Sequence, residues 1–128
     1  MERVTGIGGV FFKCQDPKAL SAWYQEQLGV NIVFPHGAVF SWPAGQTPER
    51  PGGTTLGFFS ADSTYMDPGK APFMVNFRVP NLAAMLAQLR AGGCEVVDKT
   101  EVSEFGSFGW VIDPEGNKVE LWEPPEGA

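Results

Sequence analysis

Few side chains in this 128-residue sequence could take part in chemistry, and their number limits the kind of site that they can form. There is one histidine, His36, which excludes any metal site built from two or three imidazoles. It lies in the segment Phe34-Pro35-His36-Gly37, which is typical of a turn, so we expect a surface residue rather than a ligand. A metal bound by this chain would therefore depend on carboxylates.

Other reactive arrangements are also missing from the sequence. Cys14 and Cys94 lie far apart in apolar surroundings, which is typical of reduced core cysteines in a cytoplasmic protein. Gly6-Ile7-Gly8-Gly9 follows no predicted strand and opens no predicted helix, so it does not match a dinucleotide- or phosphate-binding loop. We expect neither a secretory signal nor a membrane span.

The composition predicts a single folded domain over residues 1–128. Hydrophobic residues make up 43% and charged residues 19%, enough apolar material to bury a core. The formal net charge is −6, and binding to nucleic acids or anionic membranes requires clustered lysine and arginine. Neither nucleic acids nor anionic membrane surfaces are therefore expected to be the main partners of this chain.

Two amphipathic segments predict the helices that must position any site. Asp16–Gly29 and Asn81–Gly92 each begin with a residue that can cap a helix and end with a glycine. Their apolar stripes consist of Leu20, Trp23, Tyr24 and Leu28 in the first helix and Leu82, Met85, Leu86 and Leu89 in the second.

The chain also contains an internal repeat, over residues of about 5–60 and 71–124. Phe12–Asp16 matches Phe77–Asn81 in residue type at an offset of 65. Each half is predicted to run strand, helix, strand, strand, strand, and Pro43–Gly53 and Ser60–Pro72 are predicted to be loops that act as lids or as plain connectors. The predicted strands are Val10–Cys14, Asn31–Phe34, Ala38–Trp42 and Thr54–Phe59 in the first half and Phe73–Val79, Glu95–Val97, Phe108–Ile112 and Lys118–Trp122 in the second.

Two stretches resemble the vicinal oxygen chelate superfamily, which includes glyoxalase I, extradiol dioxygenases and bleomycin resistance proteins. Gly6–Asp16, followed by the helix that contains Trp23-Tyr24, is similar to the opening of these proteins. Phe108–Pro124, with the turn Asp113-Pro114-Glu115-Gly116-Asn117, is similar to their closing signature. The resemblance implies an α+β fold in which two βαβββ modules curl a mixed sheet into a cup that holds a metal or a ligand.

The resemblance also implies four metal-ligand positions. They fall at Gly9, near Gly57, at Met74 and at Glu120, so only Glu120 retains a ligand side chain. One carboxylate cannot hold a catalytic divalent ion, which needs three or more protein ligands. We therefore predict a metal-free cup without a bound cofactor.

Strand alternation, in the register that points Glu120 inward, predicts what lines the cup instead. Glycines at positions 9 and 57 are expected to leave open space, which suits a flat, partly apolar molecule. Glu120 is the candidate catalytic residue, and the candidate ligand-binding residues are Phe11, Lys13, Phe59, Met74, Asn76, Arg78, Trp110 and Trp122.

Each of these assignments has a structural alternative. Aromatic residues such as Phe11 and Phe59 on alternating strand positions also fit an ordinary core. Glu120 can be a general base, an acceptor for backbone N–H groups, or one half of an ion pair with Arg78 or Lys13, and the sequence favours the ion pair.

Three functions remain open. The first is a metal-independent, homodimeric protein that binds a small, partly aromatic or apolar molecule, similar to the drug-sequestering members of the superfamily. The second is a lyase, isomerase or dioxygenase with Glu120 as metal ligand or general base. The third is an interaction module with a vestigial cup, which a completely filled cup would support.

Overall fold

The structure is a computed structural model, and it describes residues 1–47 and 50–126. For residues 43–47 and 50–51 the description is limited to the backbone. Its strands form one mixed sheet in the order β2-β3-β1-β4-β8-β7-β5, with β6 paired to β7, which confirms the predicted α+β fold with an open, curled sheet. The elements are β1 (Gly6–Cys14), α1 (Pro17–Leu28), β2 (Ala38–Thr47), β3 (Arg50–Ser60), β4 (Phe73–Arg78), α2 (Leu82–Ala91), β5 (Glu95–Val96), β6 (Glu101–Ser103), β7 (Gly106–Ile112) and β8 (Lys118–Glu123).

Both helices begin where the sequence predicts. The Asp16 carboxylate accepts a hydrogen bond from the backbone N–H of Ala19 at 3.0 Å, and the Asn81 side chain accepts one from Ala84 at 3.0 Å. The first helix ends at Gly29 in the left-handed region, with φ of 66°. After α2 the left-handed residue is Gly93 rather than Gly92.

The strand predictions fail at three places. Asn31–Phe34 forms only an isolated bridge through Val33, and β6 was not predicted. Pro43–Gly53 was predicted to be a loop, but its described backbone belongs to β2 and β3, while residues 48–49 lie outside the described part of the chain. Because β2 is an edge strand, a proline in it need not interrupt the hydrogen-bond ladder.

The strand register relates the two halves of the sheet. Phe11 of β1 faces Gly57 of the parallel strand β3, and Asn76 of β4 faces Glu120 of the parallel strand β8. Phe11 and Asn76 are themselves separated by the 65-residue offset of the repeat. Gly57 and Glu120 therefore occupy corresponding positions in the two halves.

Two hydrophobic clusters cover opposite faces of the second half. One lies under α2 and consists of Val79, Leu82, Met85, Leu86 and Leu121. Gly109 permits this packing, since a Cβ there would be only 3.1 Å from the Leu86 side chain. The other cluster, of Met66, Met74 and Trp110, lies on the cup face with Phe11, Phe59 and Tyr65 packed against it.

The first helix is packed less completely than its apolar stripe predicts. Tyr24 contacts Phe58 with ring centroids 4.9 Å apart, but Trp23 is 51% exposed and Leu28 is 60% exposed. Neither helix in the described residues is long and apolar enough to cross a membrane.

Candidate functional site

Glu120 lies at the centre of a buried hydrogen-bond network on the cup face, where its side chain is 1% exposed. Strand pairing places Asn76 and Trp110 beside it, on β4 and β7 respectively. Asn76 Nδ2 donates to Glu120 Oε2 at 2.7 Å, and Trp110 Nε1 donates to Oε1 at 3.0 Å. Both oxygens of the buried carboxylate thus have partners within the protein.

A third donor to Glu120 comes from outside the strands. The hydroxyl of Tyr65, in the segment that joins the two halves, donates a short hydrogen bond to Glu120 Oε1. The Tyr65 ring stacks on Phe59 with centroids 5.4 Å apart, and the neighbouring Met66 is buried. Burial and the charge of Glu120 both raise the pKa of Tyr65, so its hydroxyl remains a donor.

Tyr65 was not among the predicted site residues, because Ser60–Pro72 was predicted to be a lid or a plain connector and none of its side chains was assigned to the site. The available signal was the pair Tyr65-Met66, two large apolar residues inside an otherwise polar segment. The segment is therefore a cover over Glu120 rather than a plain connector.

Lys118 is the cation next to this network. Its ammonium lies 5.0 Å from the Trp110 ring centroid and 5.3 Å from that of Tyr65, and it donates to the Tyr65 backbone carbonyl at 2.7 Å. Desolvation lowers the pKa of Lys118, and the negative charge of Glu120 opposes that effect.

The predicted ion pair of Glu120 with Arg78 or Lys13 is not found among the described residues. The carboxylate is instead held by neutral donors. Arg78 lies over the Trp122 ring at 5.1 Å from its centroid, and Trp122 Nε1 donates to the Phe105 carbonyl. Lys13 is half-buried on β1, where it pairs with Phe59 across the ladder.

The open space predicted over Gly9 and Gly57 is occupied by an aromatic ring. A Cβ built at either glycine would lie 3.0 Å from the Phe11 ring, which packs edge-on against Phe59 at 5.6 Å. Because neither glycine carries a side chain, the ring can lie across both strands. The centre of the cup is therefore filled from the first half by Phe11 and from the second by Met74 and Trp110.

An open cavity of about 390 Å³ lies at the edge of this packed centre. Its lining residues are Phe11, Pro35, His36, Gly57, Phe58, Phe59, Ser60 and Ser63. Two predicted ligand-binding residues, Phe11 and Phe59, border it, whereas Met74, Asn76 and Trp110 lie around Glu120 instead.

His36 reaches the cavity because its turn packs onto β3. The backbone N–H of His36 donates to the Val33 carbonyl at 2.6 Å, and Gly37 follows with φ of 83°. A Cβ at Gly37 would overlap the carbonyl oxygen of Leu56, so only glycine lets the turn approach the strand this closely. His36 lies in a turn and is exposed, as the sequence predicts, and it also borders the cavity.

The four positions implied for a metal do not fit one in this chain. Three of them carry no carboxylate, imidazole or thiolate, and the ring of Phe11 fills the space beside two. Both oxygens of Glu120 accept hydrogen bonds, and the described residues contain no cluster of three or more His, Cys, Asp or Glu side chains suited to a metal.

Comparison with solved structures places the fold among known proteins. Methylmalonyl-CoA epimerase from Mycobacterium tuberculosis aligns with a TM-score of 0.64 and 22% identity, over 95% of this chain and 89% of that one. A variant of the Streptomyces coelicolor methylmalonyl-CoA epimerase with bound 2-nitronate-propionyl-CoA aligns with a TM-score of 0.67 and 17% identity, over 95% and 99% of the two chains. NAD-dependent benzaldehyde dehydrogenase from Legionella pneumophila aligns with a TM-score of 0.61 and 16% identity, over 91% and 98%.

At sequence identities this low, the similarity to these solved structures shows a common fold and nothing about activity. No protein of curated function matches the chain in sequence. The family model of the glyoxalase-like domain, however, matches residues 9–122, nearly the whole chain. The chain belongs to the glyoxalase-like domain family, within the vicinal oxygen chelate superfamily.

Proposed function

We propose that this protein binds a small, partly aromatic or apolar molecule without a metal, in the cavity beside Phe11 and Phe59. The observation that carries the proposal is the contrast between two parts of the cup. The carboxylate at Glu120 is enclosed by its donors, whereas the corresponding position in the first half, Gly57, is covered by the Phe11 ring and, together with that ring, borders a cavity of about 390 Å³. The accessible part of the cup is thus aromatic and free of carboxylates along its described lining.

The size and chemistry of this cavity support a small ligand. Binding sites of about 300–1,000 Å³ with apolar walls and a few polar groups are usual for small molecules. Here Phe11 and Phe59 supply ring surfaces, and His36 and Ser63 supply polar groups at the rim. Because the cavity remains open, a binding function is favoured over an interaction module with a vestigial cup.

A thermal-shift screen of small aromatic compounds tests this function. A ligand at ten times its Kd stabilises the native state by about 1.4 kcal/mol, which raises the melting temperature by about 5 °C for a domain of this size. We expect the shift to disappear in Phe59→Ala, which removes a cavity wall, and to persist in Phe108→Ala. Phe108 is the matched control, since it lies on the same face but outside the cavity.

A screen without any stabilising compound would contradict the proposed function. So would a ligand whose shift is the same in Phe59→Ala and in the parent protein.

A second candidate function is an isomerase or lyase with Glu120 as general base. It is favoured by the direct contact of the Glu120 carboxylate with the Tyr65 hydroxyl, a pairing that can relay a proton. The structural neighbours named methylmalonyl-CoA epimerase are consistent with it. Glu120→Gln separates the two functions, because it would abolish turnover in the enzyme but leave ligand binding at the cavity intact.

We also propose that the protein is a cytoplasmic homodimer. Cys14 and Cys94 are both free thiols, as expected in a reducing compartment, but the prediction that they are core residues is wrong, since Cys14 is half-buried and Cys94 is exposed. Large apolar side chains are exposed on α1 and β2, with Leu28 60% and Val39 68% exposed, and such surfaces mark association sites. Sedimentation equilibrium should give twice the monomer mass, and a monomeric result over the micromolar range would refute the dimer.

A further inference from the structure

We propose that the cavity selects neutral aromatic compounds that carry a hydrogen-bond acceptor, such as aryl ketones, and disfavours aromatic carboxylates. The inference rests on the proposed function, because it names the ligand class of the same cavity. Two observations carry the inference. The first is which polar groups at the rim of the cavity already hydrogen-bond within the protein, and the second is the distribution of charge around the cavity.

The two serines at the rim differ in what they can offer a ligand. Ser60 donates its hydroxyl proton to the Asp62 carboxylate at 2.6 Å, so that proton is committed. Ser63 Oγ instead accepts from the backbone N–H of Tyr65 at 3.2 Å. Within the described residues the Ser63 proton has no acceptor, so Ser63 presents a donor to a bound molecule.

The backbone that carries each of these polar groups is held in place by local hydrogen bonds. The backbone N–H of Ser63 donates to the Ser60 carbonyl at 3.0 Å, which closes the turn that carries it. His36 is fixed by its own turn on β3, as described above, and belongs to the same cavity lining. An aromatic ligand packed in the cavity against Phe11 and Phe59 therefore meets polar groups that are carried by an ordered backbone, which reduces the entropy lost on binding.

The charges around the cavity act against anions. None of its described lining residues is a lysine or an arginine. The Asp62 carboxylate is held next to the lining residue Ser60, and the whole chain carries a net charge of −6. A carboxylate ligand would lose hydration without gaining a cation, whereas a carbonyl oxygen needs only the donor that Ser63 supplies.

Three probes of nearly equal size separate these contributions: acetophenone, ethylbenzene and benzoate. All have one ring, but only the first is a neutral acceptor. Because a neutral hydrogen bond contributes about 0.5–1.5 kcal/mol, we expect acetophenone to bind about two- to twelvefold more tightly than ethylbenzene, measured by ligand-observed NMR titration. Benzoate should bind most weakly of the three.

The matched variants are Ser63→Ala and Ser103→Ala. Ser103 Oγ accepts from the backbone N–H of Phe105 at 3.1 Å, so both variants remove a serine oxygen from the same kind of turn, but Ser103 is outside the cavity. We expect Ser63→Ala to bind acetophenone and ethylbenzene with about equal affinity. Ser103→Ala should keep the parent protein's preference for acetophenone. His36→Phe provides a second variant that keeps an aromatic ring at the rim while removing its polar atoms.

Each other outcome overturns a specific statement. If ethylbenzene or benzoate binds as tightly as acetophenone to the parent protein, the ligand class is wrong while the binding function stands. Retention of the acetophenone preference in Ser63→Ala overturns the assignment of Ser63 as the donor, and its loss only in His36→Phe would place the donor at His36. If none of the probes binds and the wider aromatic screen is also negative, the proposed function itself fails.

Discussion

Replacing Tyr65 by Phe removes a single hydroxyl group from the network around Glu120 and leaves the ring in place. The ring keeps its stacking on Phe59 and its edge contact with Trp110, so apolar burial changes little. What is lost is one hydrogen bond to a buried carboxylate. The substitution therefore isolates the contribution of the cover segment to the stability of the cup.

The expected loss of stability follows from the acceptor of the Tyr65 hydrogen bond, which is the carboxylate of Glu120. Hydrogen bonds to charged groups contribute about 1.5–3 kcal/mol each. Glu120 Oε1 still accepts from Trp110 Nε1 at 3.0 Å in the variant, so the oxygen is not left without a partner. We therefore expect Tyr65→Phe to lower the free energy of unfolding by about 1.5–2 kcal/mol, the lower part of that range.

Urea unfolding at pH 7 measures this loss, and Tyr24→Phe is its control. Tyr24 is the other of the two tyrosines, and its hydroxyl has no hydrogen-bond partner in the described part of the chain, although its ring also packs on aromatic neighbours. Tyr24→Phe should lower the free energy of unfolding by less than about 0.5 kcal/mol. If the two variants differ by less than that amount, Tyr65 does not stabilise the cup through Glu120.

Tyr65→Phe should also change how the free energy of unfolding depends on pH under alkaline conditions. The pKa of Tyr65 is raised by burial and by the charge of Glu120, so above about pH 10 the unfolded chain loses the tyrosine proton while the folded chain keeps it. Stability therefore falls as the pH rises past that value, and the fall should be shallower in Tyr65→Phe. Parallel slopes for the variant and the parent protein would show that Tyr65 titrates alike in both states.

Three further substitutions probe other parts of the structure. Desolvation lowers the pKa of Lys118, so the unfolded chain binds more protons than the folded chain as the pH approaches the ordinary lysine pKa of about 10.5 from below. The stability of the parent protein relative to Lys118→Met should therefore rise with pH in that range in urea titrations, and a falling difference would contradict the burial argument. A Cβ at Gly8 would collide with the Asn76 amide and lie 2.8 Å from the Trp122 ring. Gly8→Ala should therefore lower the free energy of unfolding by about 1–3 kcal/mol. An unchanged urea midpoint would show that Asn76 and Trp122 can move to make room for the methyl group. Asn81→Ala should cost about 1 kcal/mol through loss of the α2 cap, measured by thermal unfolding, and a cost near zero would mean that water replaces the cap.

The fold could be predicted because its signals are local. The caps at Asp16 and Asn81 each lie within a short window of sequence, as do the two matching segments of the repeat, and the structure contains both helices at those positions. The edge strand β2 was partly missed because proline and glycine indicate loops, whereas an edge strand tolerates them.

The site was less predictable because it depends on contacts between distant residues. Strand alternation predicted that Asn76 and Glu120 point to the same side of the sheet, but their direct pairing follows from the register of β4 and β8, which only the structure gives. Tyr65 lies 55 residues before Glu120 in an irregular segment, where no periodicity indicates the direction of a side chain. The position of His36 likewise depends on how a turn packs onto β3, which only the assembled structure shows.

The ring of Phe11 has a consequence for the mutational paths open to this chain. A histidine introduced at Gly9 would meet both that ring and the backbone oxygen of Thr55, 2.9 Å from its Cβ, and one at Gly57 would meet the ring as well. Removing Phe11 first would leave a void under two glycines, which is costly in a packed interior. Each single step towards a chelating cup is thus expected to destabilise the fold on its own, so the packing that fills this cup also opposes the gain of metal ligands.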